Sequence, residues 1–77
     1  QKTRIDSRGW LMDVLKCVER IPQDDFCLDE VYAFVEELQL KHPDNNHVHD
    51  KIRQQLQFLR DKGFIQFFGG GRYRRIR

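Results

Sequence analysis

Phe64-Ile65-Gln66-Phe67-Phe68-Gly69-Gly70-Gly71-Arg72-Tyr73-Arg74-Arg75-Ile76 is where the chain changes its hydrophobic period. Upstream, apolar residues recur at three- and four-residue steps. Here β-prone residues flank a glycine triplet, which predicts strand, turn, strand: a β-hairpin with a longer glycine loop. Immediately before it, Val48, Ile52, Leu56 and Leu59 form the buried stripe of a helix that opens near Asn45-Asn46 and stops at Gly63, where glycine accepts the left-handed backbone of a helix end. The segment His42-Pro43-Asp44-Asn45-Asn46 reads as the turn leading into it.

Further upstream, Trp10, Leu11, Val14, Leu15, Val18 and Ile21 predict an amphipathic helix from Arg8, capped by Ser7 and ended by Pro22. Phe26-Cys27-Leu28 reads as a short extended piece. Val31, Phe34, Val35 and Leu38 mark a second helix, with Asp29 and Glu30 suited to its positive N-terminus. A hairpin following three helices defines the expected class: α+β, a winged helix with a helix-turn-helix core. Residues 1–6 are assigned to a linker and residues 7–77 to one winged-helix domain.

Composition agrees with a single small core. The chain has 77 residues, of which 39% are hydrophobic and 34% charged, and a chain this short buries about 60% of its unfolded surface around one core. No apolar run approaches the roughly 20 residues of a membrane span. The polar start Gln1-Lys2-Thr3-Arg4 lacks the apolar stretch of a secretory signal, so a cytosolic setting is expected. Cys17 and Cys27 are expected as buried reduced thiols in preference to a bridge.

The net charge of +2 hides a strong polarity: residues 1–50 hold six Lys/Arg against eleven Asp/Glu, and residues 51–77 hold eight against one. Cations gathered at one end of a small domain are the footprint of a face that meets a polyanion. In a helix-turn-helix reader the second helix of the pair enters the major groove, here the helix that opens near Asn46. With Ile52 as the centre of its buried side and about 100° per residue, Asp50 and Gln54 point away from the core, flanked by His47, Lys51, Arg53 and Gln57. Gln pairs with adenine, His and Asn reach base edges, and Lys and Arg neutralise phosphates. Asn46, His47, Asp50 and Gln54 are therefore expected to read bases. Arg8, Lys51, Arg53 and the wing residues Arg72 and Arg74 are expected to contact phosphate or the minor groove.

Other chemistry is excluded by spacing. The glycine triplet lacks the following helix and the Lys-Ser/Thr of a phosphate loop. His47 and His49 point about 200° apart on a helix, and no Cys-x-x-Cys or His-x-x-x-His pair joins them to His42, Cys17 or Cys27, so no metal site is expected. Asp24-Asp25 and Glu36-Glu37 read as solvated acids, Trp10 and Tyr32 as core aromatics. Phe67 and Phe68 cannot both be buried on one strand face. No catalytic residue and no cofactor are expected.

Ser7-Arg8-Gly9-Trp10, Asn45-Asn46-His47, Lys51-Ile52-Arg53-Gln54-Gln55-Leu56-Gln57 followed by Leu59-Arg60-Asp61-Lys62, and Gly71-Arg72-Tyr73-Arg74 resemble the C-terminal winged-helix domain of DpnI-type, Dam-replacing restriction endonucleases, over nearly the whole chain from Ser7. The resemblance implies a bacterial cytoplasmic protein whose upstream PD-(D/E)XK nuclease domain carries the catalysis of a type II methyl-directed endonuclease. It also implies that this module binds double-stranded DNA carrying N6-methyladenine in a GATC-like site. Two positions depart from the pattern: Cys27 stands where related helices begin with a capping Thr, and Gly69-Gly70-Gly71 lacks a basic residue between glycines. The competing expectations are a sequence-indifferent DNA tether and a winged helix that binds protein instead.

Overall fold

A computed structural model describes the backbone of residues 2–76 and the side chains of residues 9–76. Helix α1 spans Lys2–Arg20. Neither Pro nor Gly stands before Gly9 to stop it, so the helix passes through Ser7, the expected cap, whose side chain lies outside the described residues. Of the stripe that the period predicted, Trp10, Val14, Val18 and Ile21 are buried and Leu11 and Leu15 only partly so, with Cys17 buried beside them.

Strand β1, Asp25–Cys27, leads into α2, Leu28–Tyr32, and α3, Val35–Lys41. The single second helix expected from Val31, Phe34, Val35 and Leu38 is thus two. At Phe34 the backbone leaves helical geometry (φ −93°, ψ 6°), and its N–H is donated to Val31 O at 3.0 Å, a tighter turn than the α-helical step. Val31 and Leu38 remain buried on either side of the bend. Cys27 is no obstacle to starting α2, because Glu30 Oε1 reaches back to accept the Cys27 N–H at 2.9 Å.

Helix α4, Val48–Asp61, carries the centre of the core: Ile52, Leu56 and Leu59 are wholly buried. Burying aliphatic side chains this fully is worth about 1.5–3 kcal/mol each, which fixes the rotation of α4 about its axis. It ends as predicted at Gly63 (φ 86°): Phe64 N–H is donated to Leu59 O at 2.9 Å and Gly63 N–H to Arg60 O at 3.0 Å, the paired bonds of a Schellman stop.

The hairpin consists of β2, Ile65–Gly69, and β3, Arg72–Arg75. Its turn is shorter than expected. Gly70 and Gly71, at φ 59° and 74°, close a two-residue connection whose positive dihedrals match the right-handed twist of the strands. The third glycine belongs to a bulge: Phe67 pairs with Tyr73 and Gly69 with Arg72, leaving Phe68 unpaired between them. That resolves the adjacent phenylalanines. Phe67 lies across from Tyr73 with ring centroids 4.7 Å apart but is itself 36% exposed, and Phe68 is thrown outward, 53% exposed, so neither is buried.

The extended piece seen in the sequence pairs with the hairpin. β1 lies antiparallel to β3, Phe26 opposite Tyr73, so the sheet order is β1-β3-β2 and the wing is tied to the body of the domain. Tyr73, Phe26 and Ile65 face the helices, while Arg72 and Arg74 face outward. Arg75 returns to the inner side. Its Nη1 donates to Val18 O at 2.7 Å and Ile21 O at 3.0 Å, closing the carbonyl end of α1. Both cysteines are free, Cys17 buried as expected and Cys27 only partly so; burial, with a smaller push from Glu37, raises the Cys17 thiol above its ordinary value. No described helix is long and apolar enough to cross a membrane.

Candidate nucleic-acid interface

The turn before α4 is held from two sides. Gln39 Nε2 donates to Asn45 O at 2.8 Å and His42 O at 3.3 Å, and Asn45 Oδ1 accepts the His47 N–H at 2.7 Å. Because Asn45 satisfies His47 in this way, regular helix begins at Val48, two residues later than Asn46. No side chain among the described residues caps α4, and its first-turn amides stay directed at whatever meets this helix end.

His47, Asp50, Gln54, Gln57 and Asn46 are all exposed. Asn46, His47, Asp50, Lys51 and Gln54 line one shallow concavity of about 360 Å3 together with Asp44 and Asn45. The residues that the helical period grouped are therefore neighbours in space. Lys51 and Arg53 flank this ridge on opposite sides. Lys51 Nζ lies 6.0 Å from the Trp10 ring, on the α1 side. Arg53 lies on the wing side, close enough to Tyr73 to pull its phenol down, against the larger upward push of burial and the further push of Tyr32.

Aromatic contacts fix the surroundings of the ridge. Trp10, a core residue as expected, stacks on His42 at 4.0 Å between ring centroids, and His42 Nε2 lies 2.7 Å from Asp13 Oδ2. Tyr32 meets His49 edge-on at 4.5 Å, and the Arg60 guanidinium sits 4.6 Å over Phe67. His42 and His49 are thus engaged with different partners on different sides of the turn.

The expected wing contacts divide. Arg72 is exposed and has no ion pair among the described residues. Arg74 is committed: its Nε lies 2.7 Å from Asp25 Oδ1, directly across the strand pair, and its guanidinium covers Phe68 at 5.0 Å. That hydrogen bond is the main reason the Asp25 carboxyl is held below its ordinary value. Arg72 and Arg74 line a second hollow with Asp25, Glu30 and Phe68, separate from the residues of the α4 ridge. Arg8 lies outside the described side chains. Sequence reasoning missed the structural use of Arg75 and the β1–β3 pairing that engages Arg74; Asp24-Asp25, read as solvated acids, is the signal that pointed to both.

Residues 6–75 match the family described as the Dam-replacing HTH domain, DpnI_C. The chain belongs to that family. A helix-turn-helix domain is a DNA-binding module, so this member of the Dam-replacing HTH family binds DNA and is not itself the catalytic part of an enzyme.

Proposed function

We propose that this domain reads duplex DNA containing N6-methyladenine, in a GATC-like site, by laying the outer ridge of α4 in the major groove. Asn46, His47, Asp50 and Gln54 supply the base contacts, Lys51 and Arg53 hold the phosphates on either side, and Arg72, Arg8 and, more weakly, Arg74 add to them. In the parent protein, the chain that leads into α1 joins the domain to an upstream nuclease domain of a methyl-directed restriction endonuclease in the bacterial cytoplasm. The observation that carries the reading is the convergence of Asn46, His47, Asp50, Lys51 and Gln54 on one concavity at the uncapped start of α4.

The physical demand on such a reader is specific. Burying one methyl group is worth about 0.8 kcal/mol, less than tenfold in affinity. Selectivity must therefore come also from a penalty on the unmethylated amine, while phosphate contacts supply most of the affinity. Asp50 contributes sequence and not methyl selectivity: between the flanking cations it repels phosphate and accepts from the exocyclic amine of a cytosine beside the adenine. The test is a titration of the domain with matched duplexes, methylated and unmethylated at adenine. Tighter binding of the methylated duplex is expected. Equal affinities would refute the methyl reading, and binding indifferent to salt would point to a protein partner.

A further inference from the structure

Gln55 is the buried polar side chain among the described residues, 1% exposed, and its Oε1 has no hydrogen-bond partner. An orphaned oxygen inside a small core costs stability, and an apolar residue of similar size would avoid that cost. The other end of the same amide is engaged: Gln55 Nε2 donates to Gln54 Oε1 at 3.4 Å, a long bond that reaches out of the core to the exposed ridge. A core side chain thus touches the oxygen of a proposed base-reading amide.

The direction of that contact has a chemical consequence. An adenine in a base pair shows the major groove an acceptor at N7 and a donor at N6, and a freely turning glutamine satisfies both, oxygen to N6–H and nitrogen to N7. When N6 carries a methyl group and the pair is kept, the remaining N6 hydrogen is used in pairing and the methyl takes the groove-facing place. The edge is then an acceptor beside an apolar group, with nothing to donate to a glutamine oxygen. We propose that Gln55 is a positioning residue that holds the Gln54 oxygen toward the protein, so that Gln54 offers the groove only its amide N–H donors. So turned, Gln54 matches N7 beside an N6-methyl group and leaves the N6–H of an unmodified adenine unpaired. This supplies the penalty on the unmethylated base that burial of a methyl does not. The inference rests on the reading of Gln54 as a contact to adenine.

The test uses Gln55→Leu and Gln55→Met in the whole chain, titrated with matched methylated and unmethylated duplexes. Both variants are expected to fold at least as stably as the parent, since the orphaned oxygen is gone. They are expected to bind the unmethylated duplex at least threefold more tightly and the methylated one unchanged, and to lose this effect when Gln54→Ala is added. An unchanged ratio in both variants, or a ratio that changes equally without Gln54, overturns the proposal. Nitrogen-15 relaxation of the Gln54 side-chain amide in the DNA-free protein reads the positioning separately: it should be ordered in the parent and mobile in the variants, and equal mobility overturns it. If the parent itself binds both duplexes alike, the methyl reading fails, and the relaxation measurement alone decides the role of Gln55.

Discussion

The cations of α4 and those of the wing are spent differently. On α4, Lys51 and Arg53 stand on either side of the outer ridge with no ion pair among the described residues. On β3, Arg74 is held by Asp25 and Arg75 is turned inward to Asp24 and the end of α1, leaving Arg72 without an ion partner among the described residues. The eight Lys/Arg against one acid in residues 51–77 therefore overstate what the wing offers a polyanion. Charge along a chain is not charge on a surface, because acids distant in sequence are folded back onto it. The wing acts first as a buttress, and the helix carries the free cations.

Arg75→Ala tests the buttress and should have the largest effect. Its side chain is 15% exposed, and losing charge-assisted bonds to two helix-end carbonyls is expected to cost about 2 kcal/mol, a fall in melting temperature of roughly 10 °C for a domain of this size. Affinity of the folded protein for DNA should stay within about twofold, since the group acts inside the fold. A stable variant that had lost DNA binding would make Arg75 a contact and erase the contrast.

Lys51→Ala and Arg53→Ala test the other side. Each should lower the slope of log affinity against log salt by about 0.9 and weaken all duplexes alike, with the melting temperature little changed. Gln54→Ala should be milder, a loss of about fivefold confined to the preferred duplex, read in the same titrations.

The smallest effects sharpen the comparison within the wing. Arg72→Gln should weaken binding more than Arg74→Gln, and Asp25→Asn should release Arg74 and steepen the salt dependence. Because Asp25 has its carboxyl held below the ordinary value by Arg74, the pair contributes stability above that value and loses it as pH falls through the lowered one. The difference in melting temperature between the parent and Asp25→Asn should thus be slight near neutrality and vanish in strong acid. A difference that persisted there would mean that Asp25 acts otherwise than through its charge.

Periodic features were legible in the sequence because they are local. The stripes of α1 and α4, the Gly63 stop and the change of period at Phe64 each depend on residues a few positions apart. So does the outer ridge, which is why Asn46, His47, Asp50, Lys51 and Gln54 fall together. What escaped was set by distant partners or by backbone detail. Asp25 and Arg74 are 49 residues apart, and Arg75 and Val18 are 57 apart. The bend at Phe34 interrupts a helix and the bulge at Phe68 shifts the strand register by one residue, without altering the apolar pattern around them. Gln55 was a polar letter inside the inner half of α4, and only its burial and its contact with Gln54 mark it.

The account stands on α4 presenting its outer side to the groove while the wing supports it. Amide shift mapping of the nitrogen-15-labelled domain with a methylated duplex reads this directly. The largest changes are predicted at Asn46–Gln57 and at the Gly69–Arg72 turn, with Arg74 and Arg75 little moved. Changes concentrated instead on α3 or on the outer sheet face around Asp25, Glu30 and Arg74 would contradict it.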